Sequence, residues 1–259
     1  MKPGPGCNAW RYIYLCVLVL LAPTTGLSII LHEGGEPNLL TWADKPANAV
    51  VGRWSTNASF VVVSPKWILT TRHQGGSPAT IKVNGVTYNC IYNTTYWTGG
   101  PAGNADIRLI RLKNTDGSDP NLAYYADPYT TTDEMQHRDI VIGGYGKYRG
   151  DTLSSGPKDY GYLWAGSSND TLRWGENIID GNMTSQNVGS YDSNTLYAHF
   201  DRNGRTYEAA PAEWDSGGGW FINQGETWKL AALSAYVERA DQTWFGDKFW
   251  GIRVSSYHD

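Results

Sequence analysis

Cysteine is nearly absent from this 259-residue sequence, which contains only Cys7, Cys16 and Cys90. The first two lie in an N-terminal segment with the features of a cleavable signal, so a processed chain would keep Cys90 alone. A single cysteine excludes an intrachain disulfide, and packing alone must then stabilise the fold. A chain of this length can bury an ample core. We therefore expect Cys90 to be buried rather than reactive.

Basic clusters are also lacking. The net charge is -4 and the chain has no run of lysine or arginine, which argues against a nucleic-acid partner. The five histidines show no His-x-x-x-His or cysteine-rich spacing of the kind that binds metal ions. The sequence thus predicts no nucleic-acid partner, no metal and no cofactor, and it leaves the oligomeric state open.

No apolar run is long enough for a standard membrane-spanning helix. The run at residues 12–22 follows Lys2 and Arg11 and is half the length of about 20 residues that a bilayer requires. It leads into Pro-Thr-Thr-Gly at residues 23–26. A basic start, a short apolar run and small residues at its end are typical of a secretory signal peptide. We expect residues 1–26 to be removed and the protein to be secreted or periplasmic, with no membrane contact; an uncleaved anchor is the alternative.

Helical periodicity is scarce, and short apolar runs separated by turn residues take its place. Residues 60–63 and 67–71 are rich in β-branched residues and flank a Ser-Pro-Lys turn, which is typical of strands. Asn84 and Gly85 separate two further short strands and predict a hairpin, because both turn positions favour positive φ. The sequence therefore predicts an all-β protein.

The chain divides into two halves, each of which has short apolar runs separated by turn residues. The polar segment at residues 114–133 has the composition of a linker, and we place a boundary near residue 126 within it. This gives an N-terminal β domain at residues 27–125 and a C-terminal β domain at residues 126–259. Each half is long enough for one barrel or sandwich.

The sequence Asp-Ser-Gly-Gly-Gly at residues 215–219 places one hydroxyl between a carboxylate and three glycines. Three consecutive glycines indicate a backbone that needs unusual dihedral angles or close approach by another group. Ser216 in such a loop is a candidate nucleophile, and a plain turn is the alternative. Upstream, His73 follows a predicted buried strand and Asp106 precedes an alternating one. Neither His73 nor Asp106 is unusual by itself, but with Ser216 they give the chain order His, Asp, Ser.

These stretches resemble the chymotrypsin-like serine proteases. The matching motifs are Ser-Pro-Lys-Trp-Ile-Leu-Thr-Thr-Arg-His at residues 64–73, Asp-Ile-Arg-Leu-Ile at 106–110 and Asp-Ser-Gly-Gly at 215–218. Residues 141–146 and 249–257 are similar to two further strands of that family. The resemblance covers residues 50–259 and is greatest to disulfide-poor bacterial members. It implies two six-stranded antiparallel barrels packed perpendicular, with the active site in the cleft between them.

The resemblance also implies the role of each residue. Ser216 would be the nucleophile, His73 the general base and Asp106 the group that orients the imidazole. The backbone N–H groups of Trp214 and Ser216 would form the oxyanion hole. The expected function is an exported serine endopeptidase that acts on protein or peptide substrates. Its activity should rise with pH through the imidazole titration, about pH 6 to 7.

The family's primary specificity pocket is matched by four positions: Ala210, Ser234, Tyr236 and Phe249. Ala210 supplies no charge for a basic side chain, and the two aromatic residues stand where glycines leave room in trypsins. We therefore expect a shallow pocket for small or medium apolar residues before the scissile bond. An acidic preference is expected only if Lys248 turns inward.

One departure from the family pattern keeps another function open. Trp214 replaces the glycine just before the Asp-Ser pair, so a catalytically silent protease-fold protein that binds a partner through the same cleft is the alternative. A disulfide pair of the family is replaced by Ala58 and Gln74; both halves are absent together, which indicates a coherent loss of the disulfide and not decay. The twelve tryptophans also allow a carbohydrate-binding protein or a glycosidase, because aromatic rings stack on sugars.

Asp215, directly before Ser216, needs a partner for its carboxylate if it is buried. In family members made as zymogens, the equivalent aspartate pairs with a newly formed N-terminal amine. Cleavage after Ser28 would expose Ile29 and Ile30, which are apolar like the family's usual start, although Leu31-His32 replaces its glycines. Otherwise Asp215 needs an internal cation or hydrogen-bond donor, because a buried unpaired carboxylate is unfavourable.

Overall fold

The computed structural model describes residues 29–32, 39–92, 103–188 and 190–257. It is 51% strand and 4% helix, so the predicted all-β class is confirmed. The proposed signal peptide, residues 1–26, lies outside the described residues. In the part of the chain that is described, no helix has the length and apolar character needed to cross a membrane.

The first half of the chain forms a nearly closed six-stranded antiparallel barrel. A short strand, β1 (Ile30–Leu31), precedes it. The barrel strands are β2 (Val51–Trp54), β3 (Ala58–Ser64), β4 (Trp67–Thr70), β5 (Thr80–Val83), β6 (Val86–Ile91) and β7 (Arg108–Lys113). Their order around the sheet is β2-β3-β4-β7-β6-β5. One of the two expected six-stranded barrels is thus present.

Local sequence explains the barrel strands. The burial of β7 alternates along its length, because one face lies on the core and the other does not. Asn84 and Gly85 have φ values of 47° and 80°, and the hairpin they were predicted to form joins β5 to β6. Cys90 lies on the core side of β6 and is buried, as expected. Burial raises the pKa of its thiol to about 11, so little thiolate forms near neutral pH.

The second half is built on a seven-stranded antiparallel sheet, where the resemblance implies six strands. Its strands are β8 (Asp139–Gly144), β11 (Arg173–Ile178), β12 (Gly181–Val188), β13 (Tyr191–His199), β15 (Gly219–Gln224), β16 (Thr227–Val237) and β18 (Lys248–Arg253). Their order in the sheet is β11-β8-β15-β16-β18-β13-β12, so β12 is an edge strand that pairs with β13. The proposed boundary near residue 126 lies between β7 and β8.

Smaller elements complete the described fold. A three-stranded sheet contains β9 (Tyr148–Ser155), β10 (Lys158–Ala165) and β17 (Gln242–Trp244). The short strand β14 (Ala209–Ala210) pairs with β1. Single 3₁₀ turns lie at Asn48–Val50, Glu134–Gln136 and Val254–Ser256.

The largest core cluster joins the two halves. Val61 and Leu69 from the barrel belong to the same buried cluster as Trp220 and Ile252 from the seven-stranded sheet. At this junction the backbone N–H of Ser59 donates to the carbonyl oxygen of Ser216 over 2.8 Å. The loop that carries Ser216 is therefore held directly against the barrel.

Candidate active site

The pairing of β4 with β7 places His73 beside Asp106. Thr70 at the end of β4 is opposite Arg108 at the start of β7, so the residues just beyond these ends meet at one edge of the barrel. His73 lies three residues after Thr70, and Asp106 lies two residues before Arg108. The barrel topology alone therefore brings together two side chains that are 33 residues apart in sequence.

Asp106 is fully buried and is held by hydrogen bonds on both oxygens. Its Oδ1 accepts the backbone N–H groups of Arg72 and His73, each over 2.8 Å. Its Oδ2 lies 2.6 Å from Nδ1 of His73 and accepts the hydroxyl of Tyr236 over 2.9 Å. The backbone N–H of Asp106 donates to Oγ of Ser193 over 2.9 Å. These contacts fix the carboxylate and, through it, the orientation of the imidazole.

Ser216 lies on the other side of the imidazole. Its Oγ is 2.8 Å from Nε2 of His73, within hydrogen-bond distance for transfer of the serine proton. A continuous hydrogen-bonded line therefore runs from Asp106 through His73 to Ser216. The structure brings together all three residues that the sequence identified as candidates.

The three glycines after Ser216 each meet a steric demand, as the sequence indicated. Gly217 has φ of +83°, and a Cβ there would lie 2.2 Å from the carbonyl oxygen of Ser59. A Cβ on Gly218 would lie 2.5 Å from the carbonyl oxygen of Gly143, and one on Gly219 would lie 2.2 Å from the ring of Phe221. The loop at residues 214–219, called the serine loop below, thus packs against neighbouring backbone at Gly217 and Gly218 and against an aromatic ring at Gly219, with no room for a side chain at these positions.

The oxyanion loop keeps its donors available despite Trp214. Among the described residues, no acceptor is bonded to the backbone N–H of Trp214 or to that of Ser216. Trp214 has φ of +75°, a conformation that costs a non-glycine residue roughly 1 to 3 kcal/mol. Nζ of Lys147 lies 5.2 Å from the centroid of the indole and 2.5 Å from a carboxylate oxygen of Glu213. The cation–π contact helps to hold the indole against the loop.

Asp215 is fully buried behind the serine loop. Burial raises the pKa of its carboxyl to about 7, against the lowering effect of the Ala212 and Gly146 N–H groups, the charge of Arg173 and the backbone N–H of Ile29. The Gly146 and Ala212 bonds measure 2.6 and 2.9 Å. The structure therefore brings Asp215 to the residue that the sequence proposed as a new N-terminus, and also to an internal cation.

The four expected specificity residues divide between two cavities. Ser234 and Tyr236 line a cleft of about 250 Å³ together with His73 and Ser216. Ala210 and Phe249 are 1% and 2% exposed and line a small neighbouring cavity of about 10 Å³.

A larger groove of about 610 Å³ lies elsewhere, around β8 and β11. Two of its lining arginines are paired, Arg138 with Asp180 and Arg205 with Asp139. We assign the site to the smaller cleft because it contains the hydrogen-bonded His, Asp and Ser side chains. Within the described ranges, no group of three or more His, Cys, Asp or Glu side chains could hold a metal ion.

Three contacts of the site were not foreseen from the sequence. They are the hydrogen bond from the Tyr236 hydroxyl to the Asp106 carboxylate, the hydrogen bond from the backbone N–H of Asp106 to the Ser193 hydroxyl, and the interaction of the Arg173 charge with Asp215. Each joins segments more than 40 residues apart in sequence. No local motif marks any of them.

Comparison with models of protein families and with curated proteins gives no match for this chain. The assignment of the site therefore depends on the chain's own motifs and on the geometry that its fold gives them.

Proposed function

We propose that this protein is an exported serine endopeptidase that hydrolyses peptide bonds through an acyl-enzyme. One observation carries the proposal: Asp106 Oδ2, His73 Nδ1, His73 Nε2 and Ser216 Oγ form one line with contacts of 2.6 and 2.8 Å. A serine that shares its proton with an oriented imidazole is the activated nucleophile of acyl transfer.

Each side chain has a distinct part in the reaction. Oγ of Ser216 attacks the substrate carbonyl while Nε2 of His73 takes the hydroxyl proton. The same nitrogen then donates that proton to the leaving amine as the C–N bond breaks, and it later activates water to release the acyl group. Asp106 stabilises the imidazolium that forms between these steps and remains ionised.

The developing oxyanion would be stabilised by the backbone N–H groups of Trp214 and Ser216, which have no acceptor among the described residues. Removing one such donor in a related chemistry raises the barrier by about 3 to 4 kcal/mol. Trp214 lines the cleft together with Ser216, and a bulky residue at this position would narrow the space for the substrate.

The finer architecture is part of the same proposal. A nearly closed six-stranded barrel carries His73 and Asp106, and the serine loop precedes β15 of the second sheet. The site lies where these two parts meet. This arrangement supports a chymotrypsin-like fold, with a second barrel built from the seven-stranded sheet and set across the first.

Cleavage of a mixed peptide library by the processed protein tests the function. We expect new peptide termini to accumulate with time. A well-folded protein that binds library peptides without cleaving any of them would contradict the endopeptidase proposal.

The same library tests the specificity pocket. We expect cleavage mainly after small or medium apolar residues, because Ala210 and Phe249 are buried beside a cavity of only about 10 Å³. Lys248 also lines that cavity, so enrichment of acidic residues would indicate that its ammonium reaches the substrate. Dominant cleavage after Lys or Arg would refute the pocket assignment and leave the catalytic residues untouched.

A silent binding protein remains the second candidate, favoured by Trp214. A tryptophan held at φ of +75° is unfavourable in a loop where glycine would be relaxed. The carbohydrate-binding alternative has less support, because Trp54, Trp174 and Trp220 are fully buried and offer no face to a sugar.

A further inference from the structure

Tyr236 makes a contact that its expected place in the substrate pocket does not explain. Its hydroxyl donates to Oδ2 of Asp106 over 2.9 Å, although the two residues are 130 positions apart in sequence. Its ring centroid lies 5.8 Å from that of His73, with 33° between the ring planes. Tyr236 therefore contacts both Asp106 and His73 of the proposed catalytic triad, which consists of Asp106, His73 and Ser216.

The oxygen that accepts this bond is the one that faces the imidazole. Oδ2 of Asp106 lies 2.6 Å from Nδ1 of His73, whereas Oδ1 is bonded to two backbone N–H groups. The phenol and the imidazole thus share one carboxylate oxygen. A second donor on that oxygen withdraws charge that would otherwise act on the imidazole alone.

The phenol stays a donor over the working pH range. Burial raises the pKa of Tyr236, and the charge of Asp106 raises it further. No step of the reaction needs the phenol to ionise. It can therefore hold the carboxylate throughout the catalytic cycle.

A strand irregularity aims Tyr236 at Asp106. In the pairing of β16 with β18, Ser234 is opposite Gly251 and Tyr236 is opposite Trp250, so Ala235 is an extra residue. Such a bulge redirects the side chains that follow it and is common beside active sites. The neighbouring hydroxyl of Ser234 is engaged elsewhere, since it accepts Nε1 of Trp220 over 2.9 Å.

We propose that Tyr236 is a positioning residue of the triad, which holds Oδ2 of Asp106 in place and sets how much of its charge acts on His73. The kinetic consequence rests on the proposed proteolytic function. The hydrogen bond and its effect on the imidazole do not.

Other polar groups around the pair would stay in place if the phenol were removed. The guanidinium of Arg72 lies 4.8 Å from the ring centroid of Tyr191 and donates to the carbonyl oxygen of Ala105. Tyr257 and Tyr236 both interact with the hydroxyl of Ser193. Tyr236→Phe removes the donor on Oδ2 of Asp106 and the interaction of the phenol with the Ser193 hydroxyl, whereas the hydrogen bond from the Asp106 N–H to Ser193 and the contact of Tyr257 with Ser193 remain.

The test compares Tyr236→Phe with Tyr129→Phe. Tyr129 is a matched control, because it is a buried residue whose hydroxyl also donates to a carboxylate, that of Asp133, over 2.9 Å. In Tyr236→Phe we expect kcat to fall about tenfold, with KM within about twofold, because a hydrogen bond to a charged group is lost without loss of substrate contact. Tyr129→Phe should leave both unchanged.

The second readout is the NMR titration of the His73 ring, assigned by its absence in His73→Gln. We expect its midpoint to move up by about half a pH unit in Tyr236→Phe, because a carboxylate that loses a donor stabilises the imidazolium more strongly. Replacing Tyr236 with 3-fluorotyrosine, a stronger donor of similar shape, should move the midpoint down. This second variant keeps the test valid if Tyr236→Phe folds poorly.

A midpoint that stays fixed or moves down in folded Tyr236→Phe would overturn the proposal. If the unsubstituted protein cleaves no peptide but its His73 titration still responds to Tyr236→Phe, the proteolytic function fails while the contact to Asp106 stands. If peptides are cleaved and neither kcat nor the titration responds, the function stands and the role of Tyr236 fails.

Discussion

Ser216→Ala is expected to lower kcat for peptide hydrolysis by roughly a millionfold, as does loss of the nucleophile in an unrelated serine protease. The alanine removes the oxygen that lies 2.8 Å from Nε2 of His73 and leaves nothing to form the acyl-enzyme. His73→Ala should have a similar effect, and the double variant should be no worse than either, because the two side chains act as a unit. Steady-state hydrolysis of a peptide found by library profiling measures these effects.

Ser154→Ala is the matched control for the nucleophile. Ser154 lies on an exposed part of β9, its hydroxyl donates to Asp159, and neither residue lines the cleft. The activity of Ser154→Ala should equal that of the unsubstituted protein. Ser216→Ala that retains more than a tenth of the activity would show that hydrolysis does not use Ser216.

An active chain is expected to begin at Ile29. Ile29 is 1% exposed, and its backbone N–H interacts with the buried carboxyl of Asp215. Its φ of +59° is an outlier for a β-branched residue. Cleavage of the 28–29 bond removes the carbonyl that defines this angle and relieves the strain. It also places an ammonium group beside Asp215, where an opposite charge favours the carboxylate.

The size of this effect is measured by comparing two forms of the protein. A chain that starts at Ile29 should be about 100-fold more active than one that keeps residues 27 and 28, because an adjacent opposite charge favours a carboxylate by about 1 to 3 pKa units and the serine loop depends on the position of Asp215. N-terminal sequencing of the exported, active protein gives an independent readout. If the active protein starts elsewhere, Arg173 is the remaining cation near Asp215 and this activation route is excluded.

Stability against pH separates the same two forms. With Ile29 still joined to residue 28, burial raises the pKa of Asp215 from 3.8 to about 7. The folded chain then binds a proton that the unfolded chain releases, so the free energy of unfolding falls as pH rises from about 4 to about 7. With a free ammonium on Ile29, the part of this fall due to Asp215 should vanish. The urea midpoints of both forms at pH 5 and pH 8 measure this difference. An equal change in midpoint with pH in the two forms would contradict pairing of the Ile29 ammonium with Asp215.

The sequence predicts those parts of the site that depend on local patterns. The β-branched run before His73 and the alternating apolar pattern after Asp106 predict strands, and the antiparallel pairing of those strands brings the two side chains together. The glycines after Ser216 predict close approach by other groups, and the structure shows neighbouring backbone at Gly217 and Gly218 and the ring of Phe221 at Gly219.

The remaining features depend on long-range packing that no local pattern encodes. The Tyr236 hydroxyl reaches Asp106 because of a bulge at Ala235, and an extra residue in one strand shows only when its partner strand is known. Arg173 has no sequence spacing to Asp215 that a motif describes. The strand count of the second sheet likewise depends on pairing between distant segments such as β13 and β18.

Covalent labelling by a fluorophosphonate tests the central claim most directly, because the reagent reacts only with a serine that a neighbouring base has activated. We expect the processed protein to gain one adduct, located at Ser216 by peptide mass spectrometry. The adduct should be absent in Ser216→Ala, strongly reduced in His73→Ala and unchanged in Ser154→Ala. A folded protein that gains no adduct, or gains one at another serine, would contradict the assignment of Ser216 as the nucleophile.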